Sequence, residues 1–206
     1  MAIYFEHMFH VMFWLLPLYG VGRVYVVYNS RKESDQELPV REVPRNVYLC
    51  REILLAIFIL FMVGLLSLTF GNGVDWMQTN SFSEAMERLR NGIGVNVVPF
   101  RTIRTYLKYA HNAQYIWVNI IGNIVMFIPW GFCLPLLWEK NQRIPRMTFT
   151  SLLLPVCIEF LQLFVGRSVD VDDIILNFTG GMLGAFLYFL LRKCFPGIRQ
   201  LALKCS

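Results

Sequence analysis

The chain has 206 residues, a net charge of +5 and a pI near 9.0. Hydrophobic residues make up 56% of it and charged residues 16%, against about 45–50% and about 25% in soluble domains. The apolar excess comes in long blocks, with a mean hydropathy of +0.48, which points to one integral membrane domain spanning residues 1–206. No basic stripe with interleaved aromatics accompanies the positive charge, so nucleic acid is not expected as a partner. The Lys and Arg excess reads instead as membrane topology.

The first apolar block runs from about Phe9 to Tyr28. No Lys or Arg precedes it and no small-residue cleavage site follows a short core, so it reads as a retained helix rather than a secretory signal. Glu6, His7 and His10 at its start are expected to solvate the interface. Composition then changes abruptly, and residues 29–51 form a polar connector with two prolines. The second span, about Ile53 to Phe70, has no ionisable group and reads as scaffold.

Residues 72–114 form a long connector with internal order. Ser81 and Glu84 have capping-box spacing and Gly92 is a stop, which predicts a short helix over Ser81–Asn91. An apolar segment, Val95 to Phe100, is broken by Pro99. The following residues, Arg101 onward, place Ile103, Tyr106, Leu107 and Ala110 on one helix face, as in a segment lying at the membrane surface.

The third span, about Ile116 to Trp138, carries Asn119 and Asn123 four residues apart on one face, with Pro129 and Gly131 toward its far end. A basic loop leads to a fourth span, about Thr148 to Val165, and the hinge Arg167–Asp173 to a fifth, about Ile174 to Leu191. The expected fold class is therefore all-α, a helical membrane bundle of about five spans. The five cysteines show no CxxC or metal spacing, and structural disulfides are not expected.

Five spans place the two chain ends on opposite sides. One set of connections holds 13 of the 19 Lys and Arg; Arg88, Arg90, Arg101, Arg104, Lys108 and Arg167 lie on the other. The richer side is cytoplasmic, which puts the N-terminus outside, the C-terminus inside, and residues 72–114 and the hinge outward. At 1.5 Å rise per residue, Glu159 falls about 12 Å below Arg167 and Gln162 about 8 Å below it. Asn177 falls about 6 Å below Asp173, and Asn119 and Asn123 lie within about 10 Å of the outer end. A recessed, outward-opening polar pocket under the Asn96–Arg101 loop is the expectation.

Ionisable groups within a membrane segment are expensive and mark function by default. The amides Gln162, Asn119, Asn123 and Asn177 also suit interhelical hydrogen bonding. For Asp170, Asp172 and Asp173 three readings stand side by side. They cap the fifth helix; with Asn177 and Glu159 they ligate a hard divalent cation; or Glu159 and Asp172 or Asp173 act as a catalytic acid/base pair. Arg101 and Arg167 suit a phosphate or carboxylate ligand. No cofactor is expected beyond that possible divalent cation. Gly180 and Gly184, four apart, predict close helix approach.

At Asn96-Val97-Val98-Pro99-Phe100, Asn119 to Asn123, Phe127 to Phe132, Glu159-x-x-Gln162, Arg167 and Asp170 to Asn177 with Gly180-Gly181, the chain resembles the VanZ-like membrane protein family. The resemblance covers about residues 96–188. It implies a multi-pass bacterial cell-membrane protein acting at the envelope, the family's named member being associated with low-level resistance to the glycopeptide teicoplanin in Gram-positive bacteria. The leading functional expectation is an envelope protein with a pocket for an amphiphile, either a lipoglycopeptide or a lipid-linked cell-wall head group. Asn96, Phe100, Arg101, Asn119, Asn123, Glu159, Gln162, Arg167, Asp170, Asp173 and Asn177 are its candidate lining. The alternative is an enzyme acting on a lipid-linked envelope substrate. Transport is least favoured, because polar groups neither run the full depth nor repeat in inverted halves.

Overall fold

A computed structural model describes residues 45–70, 82–109, 113–165 and 167–195, with isolated positions 20, 22 and 198. The first expected span, Phe9 to Tyr28, and the basic tail beyond position 195 lie outside the described residues, apart from those isolated positions. The chain divides into two units, Met1–Asn72 and Gly73–Ser206, each described by itself.

In the first unit, α1 spans Arg45–Phe70. It starts well inside the segment that composition marks as a polar connector. The helix closes its own backbone hydrogen bonds, and Arg51 and Glu52 lie near its start. Arg51 Nη1 lies 3.5 Å from Glu52 Oε1, and Thr69 Oγ1 donates back to Leu65 O at 2.6 Å. The apolar stretch Leu49–Phe70 is 22 residues, long enough to cross a bilayer core of about 30 Å.

The second unit holds α2 (Phe82–Asn91), β1 (Val95–Asn96), α3 (Arg101–Tyr109), α4 (Ala113–Leu137), a 3₁₀ turn (Glu139–Gln142), α5 (Ile144–Phe164), β2 (Val169–Asp170) and α6 (Val171–Cys194). Three of these, α4, α5 and α6, contain apolar spans of 21, 21 and 24 residues. With α1 they make four candidate membrane spans among the described residues, and the protein is an all-α membrane protein.

All three of these helices start earlier than expected, α4 at Ala113 rather than about Ile116, and for α5 and α6 the local reason is visible. Helix α5 begins at Ile144 rather than near Thr148, because Pro145 in the first turn has no N–H to leave unsatisfied. Helix α6 begins at Val171 rather than Ile174, because the Asp170 carboxylate accepts from Asp172 N at 2.9 Å and caps it.

Close packing of α4 on α6 rests on glycine. A Cβ at Gly180 would collide with Ile124 O, one at Gly184 with Ile128 O, and one at Gly131 with Gly181 O. The two backbones therefore touch where any side chain would force them apart. On the other side of α6, Gly181 faces Ser151 of α5, with 3.0 Å from a built Cβ to its Oγ. Phe127, Leu137, Met147, Ile158, Ala185 and Tyr188 fill the interior. Outward faces stay apolar, with Trp117, Phe149, Phe160 and Phe186 about 60% exposed, as suits contact with lipid tails.

Helix α2 ends one residue before Gly92, where the backbone turns left-handed at φ 65°. Ile93 N donates to Arg88 O at 2.9 Å and Gly92 N to Leu89 O at 3.3 Å, the paired bonds of a Schellman cap. The chain then runs into β1, which pairs in parallel with β2 through Val95–Val169 and Asn96–Asp170. Val169 N extends the ladder to Gly94 O at 2.9 Å.

Candidate functional site

The two-residue strand pair brings the 95–103 segment against the start of α6, and the polar groups of the sequence motif meet there. Asp170 is the hub. Its Oδ1 accepts from Asn96 Nδ2 and from Asp172 N, both at 2.9 Å, and its Oδ2 accepts from Thr102 Oγ1 at 2.5 Å. Asn96 Nδ2 also donates to Thr102 Oγ1 at 3.1 Å, while Asn96 Oδ1 accepts from Val98 N at 3.2 Å and starts the turn toward Pro99.

Asp172 turns the other way and is fully buried. Its Oδ1 accepts from Phe100 N, and its Oδ2 from Thr102 N at 2.8 Å and Ile103 N at 3.1 Å. The carboxylate thus caps the N-terminus of α3 from another helix, where unpaired N–H groups and the helix dipole both favour negative charge. Phe100 is the one described non-glycine residue with positive φ, 63°, an unusual backbone state for an aromatic residue. Its N–H aimed at Asp172 offsets that strain.

Beneath this rim, Glu159 Oε2 accepts from Asp170 N at 2.9 Å. With its amide nitrogen oriented toward the carboxylate, Gln162 donates to Glu159 Oε1 at 3.2 Å and Oε2 at 3.3 Å. Both side chains are buried. Asp173 Oδ1 accepts from Asn123 Nδ2 at 2.8 Å, tying α6 to α4.

The vertical arrangement differs from the helix-rise expectation. Helix α5 ends at Phe164, and Arg167 N donates back to Gln162 O at 3.1 Å. The chain reverses there, so Asp170 sits beside Glu159 and not on a rim a dozen ångströms above it. Thr102 and Arg88 belong to the assembly although no sequence motif singled them out. Arg88 donates to Arg167 O at 2.9 Å and Leu163 O at 3.4 Å, holding the end of α5. Thr102 has one sequence signal, a hydroxyl at the start of a helix following Pro99; Arg88 has none.

The remaining candidates vary in exposure, and Arg167 lies close enough to Glu159 and Asp173 for its charge to act on both. Arg101 is exposed, and its backbone N–H donates to Val98 O at 3.3 Å. Asn119 and Arg167 are half-buried. Asn177 is buried with Oδ1 lacking a described hydrogen-bond partner. The three hinge aspartates diverge, toward Asn96 and Thr102, toward α3, and toward Asn123. Among the described residues no group of three or more His, Cys, Asp or Glu side chains is placed to hold a metal ion. The helix-cap reading accounts for Asp170 and Asp172, whose oxygens all accept from N–H or O–H donors.

Protein VanZ of Enterococcus faecium is 35% identical over 76 residues, which is 36% of this chain and 47% of that protein. The match therefore spans about half the length of that relative. No solved structure matches. The VanZ/LLP1 family model matches residues 53–192, from within α1 to the last turn of α6, including every residue of the hydrogen-bonded cluster. The chain belongs to the VanZ/LLP1 family.

Proposed function

We propose that this protein is a bacterial cell-membrane envelope protein. Its outward end binds an amphiphile, a lipoglycopeptide or a lipid-linked cell-wall head group, and so contributes to resistance against teicoplanin-type glycopeptides. The supporting observation is the pairing of a buried polar cluster with an apolar cover. Glu159, Gln162, Asn123 and Asp173 lie within membrane-spanning helices. Val97, Val98, Phe100 and Leu107 expose 48–72% of their surface on the segment directly above Asp172. An amphiphile presents matching halves: a polar head for amides and carboxylates, and a tail for exposed apolar side chains. The Lys and Arg distribution orients this end outward.

The test is susceptibility to teicoplanin and vancomycin in cells expressing the parent chain, Glu159→Gln or Asp173→Asn at matched membrane levels. The parent is expected to raise the teicoplanin concentration needed for inhibition, and the variants to lose most of that gain. Susceptibility equal to the empty vector for the parent would remove the resistance reading.

One observation favours a second reading, an enzyme acting on a lipid-linked substrate. Among the described residues Asp173 accepts a side-chain hydrogen bond at Oδ1 alone, from Asn123, which leaves its Oδ2 for proton transfer. Incubation of purified protein with envelope lipids, with and without divalent cations, yields a new product by mass spectrometry on this reading. No mass change across such a panel would eliminate it.

A further inference from the structure

At the end of the bundle opposite the carboxylate cluster, an open depression of about 820 Å³ is lined by Glu139, Lys140, Gln142, Arg143, Arg146 and Arg192, with Pro145. Three elements meet there: the 3₁₀ turn after α4, the N-terminus of α5 and the last turn of α6. Four cations face one carboxylate. Among the described residues Lys140, Arg143 and Arg146 form no ion pair, while Arg192 Nη1 donates to Gln142 Oε1 at 3.3 Å and is held in place. The first turn of α5 adds the positive end of a helix. Topology alone requires Lys and Arg somewhere on this side; it does not require them to converge on one concavity between three elements.

We propose that this depression binds the phosphate of an anionic phospholipid. Arginine forks match phosphate oxygens in pairs. The membrane source follows from exposed apolar side chains within five positions of the lining residues in the chain. Ile144 and Phe149 on α5 are 66% and 61% exposed, and Leu190 and Phe195 beside Arg192 are 48% and 59% exposed. Acyl chains descend along these side chains from a headgroup held by Arg143 and Arg146, whereas a soluble phosphate has no use for them. A basic pocket between membrane helices is a known form of headgroup site.

The experiment is native mass spectrometry of the purified full chain incubated in detergent with phosphatidylglycerol or phosphatidylcholine, with soluble glycerol phosphate as a competitor. Phosphatidylglycerol is expected to be retained in preference to phosphatidylcholine. Arg143→Gln combined with Arg146→Gln lowers retention about 30-fold, two cations at the attraction typical of basic residues near an anionic surface. Lys193→Gln, an exposed cation at the same end but outside the lining, lowers retention by at most about fivefold, the share of one cation near the surface. Glu139→Gln raises retention, and this arm keeps the proposal falsifiable if the double variant fails to fold. Equal retention of both lipids overturns it, as does a Lys193→Gln loss matching the double variant. Displacement by equimolar glycerol phosphate overturns the lipid assignment in favour of a free phosphate.

Discussion

Replacing Asp172 by Ala removes the acceptor for three backbone N–H groups, Phe100, Thr102 and Ile103, without touching the α3 sequence. A hydrogen bond to a charged group contributes about 1.5–3 kcal/mol, and a buried donor left unpaired costs about 1–3 kcal/mol. Phe100 is the most exposed of the three residues at 48% and is left out of the sum. Two donors at about 1.5 kcal/mol each leave about 3 kcal/mol as the cost. The loss is local, since α3 packs through this cap, and it frees Phe100 from its left-handed backbone state. Amide hydrogen exchange in detergent reads it directly. About 3 kcal/mol corresponds to about 150-fold faster exchange at Thr102 and Ile103. Protection in the middle of α6 stays within about threefold of the parent, because Asp170 still caps that helix. Exchange at Thr102 and Ile103 within about threefold of the parent would refute the idea that a carboxylate from another helix holds α3 in place.

Gly180→Ala and Gly184→Ala each push a methyl into an α4 carbonyl and are expected to destabilise by more than the about 1–3 kcal/mol of ordinary overpacking. Gly122→Ala, which meets nothing within 4 Å, is the neutral comparison, and detergent thermal unfolding followed by size exclusion separates the two outcomes. Thr102→Val removes one hydroxyl bond to Asp170 and leaves the Asn96 amide with one acceptor fewer. A loss of about 1–2 kcal/mol in thermal stability is expected, and no loss would show that Asn96 alone secures Asp170. A double-mutant cycle on Asn123→Ala and Asp173→Ala should return a coupling near 0.6 kcal/mol and at most about 1.7 kcal/mol; zero coupling would remove this α4–α6 link. Arg88→Met takes two donors from the end of α5 and should speed exchange of the residue 165–168 amides about tenfold, read in the same exchange experiment.

Several features were readable before any coordinates. Uninterrupted apolar blocks located α1, α4, α5 and α6 because hydrocarbon tolerates only segments that satisfy their own backbone. Gly92 marked the end of α2 because only a residue free of Cβ strain readily takes φ 65° there. The four-residue spacing of Gly180 and Gly184 gave the close approach to a neighbour, though not that the neighbour is α4. The polar residues of the motif were identifiable as a set because each is costly where it sits.

Their partners were not identifiable. Asp170 and Asp172 are two apart and chemically alike, yet one caps its own helix and the other caps α3, about seventy positions earlier. Periodicity describes a single element, and it cannot show a two-residue parallel strand pair joining Asn96 to Asp170. Rise per residue placed Glu159 far below the hinge, since it carries no record of the reversal after Phe164 that returns Asp170 to it. The sequence by itself determined which of the described segments are long and apolar enough to cross a membrane and which polar groups need a reason to be there, because both follow from the transfer of single side chains and local backbone. Only the tertiary structure decided which donors each carboxylate accepts from, because those donors are supplied by elements distant in the chain.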